Sequence, residues 1–396
     1  MNDHPSDHLA VADIDLGALA YNVAELRRLS SGARMMAVVK ADGYGHGAVP
    51  VARTALAGGA EYLAVARLSE ARALRAAGID APILLFGHSP AATAETLAAL
   101  EITAAINTFP SARDLSAQAH RLGLTLPVHI KVDTGMGRLG WVACTGAAAN
   151  GEKPSHAVTT VAQEIIDVAR LPGLLIEGLF THFANADSAD KTHAHLQFSL
   201  FMDLLDELDR HAVEIKCRHA ANSAAVIDMP ETHLDMVRPG IALYGLWPSD
   251  EIDRSRIELK PVMTFRSRVI TVKTVPAGFA VSYGSTYRTS GPTRIATIAL
   301  GYADGLNRLL SSRGYILVGG QRCPIIGRVC MDLVMVDVSH VPDVCLEDDA
   351  VAIGCQADQC ITAEEVAAQV GTINYEIATS ITRRVKRIYR HGQGLG

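Results

Sequence analysis

Val38-Val39-Lys40-Ala41-Asp42-Gly43-Tyr44-Gly45-His46-Gly47 sets one lysine at the end of a short apolar run and follows it with three glycines. An amine at a strand terminus, partly desolvated by its neighbours, loses some of its charged form and can condense with a carbonyl to give a Schiff base. The glycines leave the backbone free to bend closely around an incoming carbonyl compound. An isolated Val-Val-Lys-Ala would read as a surface lysine before a flexible loop, but the company this one keeps argues for chemistry. Lys40 with Tyr44, Lys131 with Arg138, His182, His219 with Asn222 and Ser223, and Arg238 with Gly240 all fall at or just after short apolar segments. Such a collection of cations suits a ligand carrying a phosphate, a carboxylate, or both. His219-Ala220-Ala221-Asn222-Ser223 reads as a strand end passing into a helix, where free N–H groups and a hydroxyl bind phosphate. Arg238-Pro239-Gly240-Ile241 offers a second tight turn. Together with Lys40, these turns point to a phosphorylated aldehyde.

The elements that must position these residues follow from the alternation of short branched segments with alanine-rich helical stretches. Eight strands are expected, at residues 35–39, 62–65, 83–85, 102–106, 127–132, 174–179, 214–217 and 234–237. Eight β-α units favour a closed (β/α)8 barrel, whose chemistry sits at the carboxyl ends of its strands. A polar insertion at 143–160 precedes a helix at 161–170, and a polar run at 185–193 precedes the next. After Trp247-Pro248 the texture becomes β-rich, at 259–275, 294–300, 315–326, 329–338 and 350–353, interrupted by one helix at 363–370 and closed by a basic strand at 383–389. The expected division is a barrel over 1–248 and a mostly β domain over 249–396, with a linker at 249–253 and a first strand at 11–16 able to pack with the β domain.

Composition agrees with this plan and excludes others. A chain of 396 residues, 49% hydrophobic and 20% charged, has ample core for two domains. No run approaches the roughly 18 apolar residues of a membrane span. The formal net charge of -6 argues against nucleic acid as a partner, so an acidic ligand must be met by local cations and backbone donors. The first ten residues lack an apolar core typical of export signals, and a cytoplasmic location is expected. Seven cysteines at irregular spacings suit reduced thiols more than a disulfide scaffold. No metal is expected.

These residues resemble the alanine racemases, pyridoxal-phosphate enzymes with a (β/α)8 barrel and a β domain. The resemblance runs through Ala12-Asp13-Ile14-Asp15-Leu16, the Lys40 loop, Lys131-Val132-Asp133-Thr134-Gly135-Met136-Gly137-Arg138, Thr181-His182-Phe183-Ala184, the Asn222-Ser223 turn and 237–245. In the second half it covers Ser282-Tyr283-Gly284, Gly301-Tyr302-Ala303-Asp304-Gly305, Gly327-Arg328-Val329-Cys330-Met331-Asp332 and Asn374-Tyr375-Glu376. It implies that Lys40 carries the cofactor as an internal aldimine and that Tyr283 is a second base, delivered by the partner subunit of a homodimer. Racemisation needs such a pair, because the α-proton leaves one face of a planar carbanion and returns on the other. A phenol of pKa about 10 is a poor base at neutral pH, and His182 and Arg238 are expected to supply the positive charge that favours its phenolate.

The same resemblance assigns phosphate binding to Tyr44, Ser223, Gly240, Ile241 and Tyr375, adds His182, His219 and Asn222 to the cofactor's surroundings, and sets Arg238 against the pyridine nitrogen. A guanidinium stays protonated, so the ring nitrogen carries no proton, which weakens the electron sink and limits side reactions. Arg138 would hold the substrate carboxylate with help from Met331, while Tyr283, Tyr302 and Met331 leave room for little beyond a methyl group. Lys131 would be carbamylated. Alanine is therefore the expected substrate, with D-alanine destined for peptidoglycan. A broader racemase acting on serine and a related decarboxylase of basic amino acids are the rival readings; Arg238 speaks against the decarboxylase, which profits from a protonated ring nitrogen.

Overall fold

A computed structural model of the chain describes residues 9–30, 32–144 and 155–391. Residues 1–8, on which the expected lack of an export signal rests, and 145–154, most of the polar insertion, lie outside the described residues.

The first large unit is an eight-stranded parallel barrel. In ring order its strands are Met236–Val237, Arg34–Val38, Tyr62–Val65, Ile83–Leu85, Ile102–Ile106, Leu126–Asp133, Leu174–Phe180 and Cys217–His219. The ring closes where the Asp235 N–H donates to the Arg218 carbonyl at 3.1 Å and the Arg238 N–H to the Ala221 carbonyl at 2.9 Å. Because helices cover the outside of the ring, several strands are buried on both faces and read as continuous apolar runs, such as Met35-Met36-Ala37-Val38. Helices between strands carry one apolar stripe each; in Thr192–Arg210 the buried set includes Leu200, Phe201, Leu204, Leu205 and Leu208, the spacing of one helical face. The helix after the insertion begins earlier than expected and spans Ser155–Ala169.

The second unit is a sheet in the order Gln321–Pro324, Tyr315–Val318, Asp349–Gln356, Met263–Val275, Val11–Asp15, Lys386–Arg390. The 13-residue strand Met263–Val275 also pairs with Thr293–Ile298, which in turn pairs with Val334–Asp337. Val11–Asp15 leaves the barrel's sequence half to sit inside this sheet, antiparallel to Met263–Val275 and parallel to Lys386–Arg390. The segment expected as one strand at 315–326 is two, folded back at Gly319-Gly320, where both residues have positive φ. A second helix, Asn374–Ser380, follows Ala363–Val370. The Asn374 amide docks it, donating to the Trp247 carbonyl and to Glu364 Oε1, each at 2.8 Å.

One expectation about cysteine is overturned. Cys355 and Cys360 face each other across the hairpin of Asp349–Gln356 and Gln359–Ile361 and form a disulfide, while Cys144, Cys217, Cys323, Cys330 and Cys345 are free. An odd count and irregular spacing argue against a framework of bridges, but not against a single staple between directly paired residues.

Candidate active site

The chain leaves the first barrel strand through an unusual turn. Ala41, Asp42, Gly43 and Tyr44 all have φ between 50° and 62°, four successive residues in the left-handed region. Backbone bonds inside the loop close it: the Gly43 N–H reaches the Val39 carbonyl, and the Gly45 N–H the Ala41 carbonyl, each at 2.9 Å. His46 contributes a ring nitrogen 2.9 Å from the Tyr44 carbonyl. The glycines do not make room for a ligand, as the sequence suggests. A Cβ on Gly45 would run into the carbonyl of Ala378 in the helix Asn374–Ser380, so the glycine is there to let the second domain press against the loop.

Lys40 opens onto a cavity of about 640 Å³ at the carboxyl ends of the barrel strands. The walls bring together Lys40, Tyr44, Lys131, Arg138, His182, Asn222, Ser223, Arg238, Gly240, Ile241 and, from the second domain, Tyr375. Asn222 caps the helix Ser223–Asp228, its Oδ1 accepting the Ala225 N–H at 3.0 Å. The Ser223 hydroxyl oxygen accepts the N–H groups of Gly240 at 2.8 Å and Ala242 at 3.3 Å, which leaves its own proton free to donate. A Cβ added at Gly240 would lie 2.6 Å from the Tyr44 phenol oxygen, so any side chain there would have to push Tyr44 aside. Burial raises the pKa of both Tyr44 and Tyr375, so these phenols remain donors.

Charge in the cavity is dominated by cations held out of water. Burial, then the charge of Arg138, lowers the pKa of Lys40. Burial, then Arg238 and Arg138, pushes Lys131 down to about 7. Arg238 is itself pushed down to about 9 by burial and remains cationic at neutral pH. Its Nη2 donates to the carbonyls of Thr181 at 2.7 Å and Ala220 at 3.0 Å, and its Nη1 to His219 Nδ1 at 2.9 Å. Because Arg238 can only donate, His219 must carry its proton on Nε2, which points at His129 Nδ1 at 2.8 Å. His219 thus lies behind Arg238 and does not line the cavity. His182 is 3.5 Å from Arg238, and burial together with the surrounding cations lowers its pKa well below the usual value. This corrects one expectation: His182 is neutral and supplies no positive charge to a phenolate.

Three contributors escape a reading of the sequence. Phe180 ends the strand Leu174–Phe180, and its ring stacks on His219 at 4.8 Å with Lys131 Nζ at 5.0 Å and Arg238 Cζ at 5.4 Å, a cation–π platform. His129 is the buried end of the Arg238 chain. Asp133 gathers the N–H groups of Gly135, Met136, Gly137 and Arg138 at 2.7–3.0 Å and so shapes the loop bearing Arg138. Burial alone would raise its pKa, but these four donors outweigh burial and hold it low. Asp followed by two nearby glycines was a usable signal for the last; an apolar Phe at a strand end carries none.

Tyr283, Tyr302 and Met331 are not in this cavity. They stand on the second domain, 73%, 41% and 52% exposed. Neighbouring loops tie them together: the Tyr302 N–H donates to the Cys330 carbonyl at 3.0 Å, the Ala303 N–H to the Met331 carbonyl at 3.0 Å, and the Ser282 hydroxyl to the Arg328 carbonyl at 2.7 Å. The candidate residues therefore form two groups in one chain, an enclosed one around Lys40 and an open one around Tyr283.

The model of the alanine racemase N-terminal domain matches residues 14–248, and that of the C-terminal domain matches residues 262–389. The chain belongs to the alanine racemase family. A relative named alanine racemase from Desulfosudis oleivorans is 53% identical over 388 residues, covering 98% of each chain. The alanine racemase of Bacillus anthracis, solved with bound L-Ala-P, superposes with a TM-score of 0.88 at 37% identity, covering 97% of this chain and 95% of that one. The enzyme from the D-cycloserine producer Streptomyces lavendulae gives a TM-score of 0.87 at 37% identity, covering 99% of both. The racemase family thus accounts for the barrel and the β domain together. Among the described residues, no helix is long and apolar enough to cross a membrane.

Proposed function

We propose that this racemase interconverts L- and D-alanine in the cytoplasm with pyridoxal 5'-phosphate and two opposed bases, Lys40 of one subunit and Tyr283 of the other. Racemisation of alanine follows from family membership across both domains. D-alanine made in this way serves peptidoglycan. The division of labour between 1–248 and 249–396 is part of the same reading: the barrel binds and the β domain completes.

The residues around the cavity suit the cofactor. Its volume exceeds what a planar phosphorylated pyridine needs, a lysine with lowered pKa stands on the wall, and the Ser223 hydroxyl, with two N–H groups on its oxygen, keeps its proton free for an anion. Bound there, pyridoxal phosphate would supply an electron sink for the bond to the α-proton. The Ser223 hydroxyl, the Tyr44 and Tyr375 phenols and the turn at Gly240 and Ile241 would hold the phosphate. Arg238, fixed by its carbonyl acceptors and by His219, would meet the pyridine nitrogen as a permanent cation. Asn222 and His182 would shape the rest of the pocket, His182 as a neutral group. Arg138 would bind the substrate carboxylate. Lys40 would move a proton at Nζ on one face, and the partner subunit's Tyr283 at its phenol oxygen on the other, with Met331 and Tyr302 crowding the substrate from the same side. At a pKa of about 7, Lys131 has a neutral amine available to take up carbon dioxide and lose a proton, which would turn a cation into an anion beside Arg138.

A single observation carries the dimeric reading: the cavity holding Lys40 excludes Tyr283, which stands exposed on the second domain. Mixing refolded Lys40→Ala and Tyr283→Phe chains tests it. Each variant alone falls to about 1% of wild-type activity or less, whereas hybrid dimers regain wild-type composition at one of their two sites, so about a quarter of all sites in an equal mixture recover. Lack of recovery in mixtures shown to contain hybrids would defeat shared sites.

A further inference from the structure

The left-handed turn after Lys40 needs an anchor. Ala41 and Asp42 have side chains that disfavour φ of 52° and 54°, and Tyr44 sits at 50°. Strain of this kind persists only where the surroundings over-determine it. The exit of the turn is held from within the loop, by the Asp42 carboxylate on the Ala48 N–H at 2.9 Å and by the His46 ring. The start is held from outside. The N–H of Ala41, part of the peptide unit that begins at the Lys40 carbonyl, donates to Glu70 Oε1 at 2.7 Å. Glu70 Oε2 takes the N–H groups of Ala66 at 2.8 Å and Arg67 at 3.0 Å.

Those last two bonds have an ordinary purpose. Glu70 is the third residue of the helix Leu68–Ala76, and a carboxylate there satisfies free donors at the helix start. The bond to Ala41 does not: it crosses from the second barrel unit to the first and lands on the residue next to the reactive lysine. Glu70 does not line the cavity, so it acts through the backbone. It is also the anion that raises the pKa of Lys40 against the lowering by burial and Arg138.

We propose that Glu70 is a positioning residue for Lys40, its carboxylate pinning the peptide that follows the lysine so that the left-handed turn presents the amine to the cavity. This rests on the reading that Lys40 carries the chemistry. Losing the carboxylate frees the Ala41 amide and removes an anion that favours the charged amine, so Lys40 both wanders and sheds its proton more readily.

The test uses the full-length chain stripped of cofactor, with Glu70→Gln and Glu70→Asp as variants. Hydrogen exchange at the Ala41 amide, followed by mass spectrometry, accelerates about tenfold or more in both, because aspartate is one methylene too short and glutamine has a single acceptor oxygen for two sets of N–H groups. Trapping of added pyridoxal phosphate on Lys40 by cyanoborohydride, followed against pH, has its midpoint moved to lower pH in Glu70→Gln and less so in Glu70→Asp. Adding Ala41→Gly restores the rate of trapping at saturating pH, since glycine takes positive φ without strain, but leaves the midpoint displaced. Unchanged exchange at Ala41 in either folded variant overturns the proposal, as does an unchanged pH midpoint in Glu70→Gln. If the wild-type chain fails to trap the cofactor at Lys40, the function proposed above falls, while the exchange measurement, which needs no cofactor, still decides the role of Glu70.

Discussion

The two groups of candidate residues differ in how they are built. The group around Lys40 is held by buried and half-buried polar bonds: Arg238 to two carbonyls and His219, Ser223 to two backbone donors, Asp133 to four. The open group has side chains out in solvent and only its backbone tied, through the loops at Cys330 and Tyr302. A rigid pocket fixes a ligand and shifts titration, whereas a surface group acquires its geometry only against another surface. The proposed division of the chemistry follows that contrast, with binding prepared in advance within one chain and the second base completed by association.

The largest effect that would sharpen the contrast comes from Lys40→Ala. Racemisation measured by circular dichroism of alanine solutions is expected to fall by about 10³-fold or more, together with loss of cofactor absorbance. Tyr283→Phe is expected to cost about 10²–10⁴-fold in kcat while the visible absorbance stays. Equal loss of absorbance in both variants would erase the distinction between the groups. A middle-sized effect belongs to Gly240→Ala, whose Cβ would meet the Tyr44 phenol oxygen at 2.6 Å. Cofactor affinity by fluorescence titration should weaken about 10- to 100-fold, a loss of about 1.4–2.7 kcal/mol, with the fold intact by circular dichroism.

Acid separates the groups more gently. His129 is pushed down to about 3 and His46 to about 4, each mainly by burial. An unfolded histidine takes up its proton near pH 6.5. From there down to the folded values the unfolded chain binds more protons, so stability falls as pH falls, by up to about 1.4 kcal/mol per pH unit for each such histidine. Urea midpoints measured from pH 7 to 5 should decline, and His46→Asn should flatten the slope. The smallest signal concerns Lys131. With ¹³C-bicarbonate, a carbamate resonance is expected at pH 8 and should fade as pH drops through about 7, where the amine gains its proton. A resonance absent at every pH would leave Lys131 a plain amine.

Much of this was legible in the residues, for identifiable reasons. The strands Tyr62–Val65, Ile83–Leu85 and Ile102–Ile106 and the helix Ala363–Val370 lie where apolar runs and helical spacing put them. The seventh barrel strand is expected at 214–217 but runs Cys217–His219, because Arg218 and His219 replace the apolar pattern with polar residues. Rules of hydrophobic patterning fail there since His219 belongs to the buried chain behind Arg238. The helix Asn374–Ser380 was not anticipated: it is only seven residues long, and docking through Asn374 holds it where its own spacing is too short to show. Residues at strand ends were legible as a group because a barrel collects them; Glu70, His129 and Phe180 were not, since each acts through a neighbour brought close only by the fold.

The placement of Val11–Asp15 has a consequence for the order in which the molecule can mature. This strand is made well before either of its neighbours, Met263–Val275 and Lys386–Arg390. At about 5–20 residues per second, the segment waits for tens of seconds on the ribosome with both its edges unpaired. Lys386–Arg390 stands last in the sheet order, so a product cut short before it would leave Val11–Asp15 as the bare edge, its backbone groups unpaired on that side.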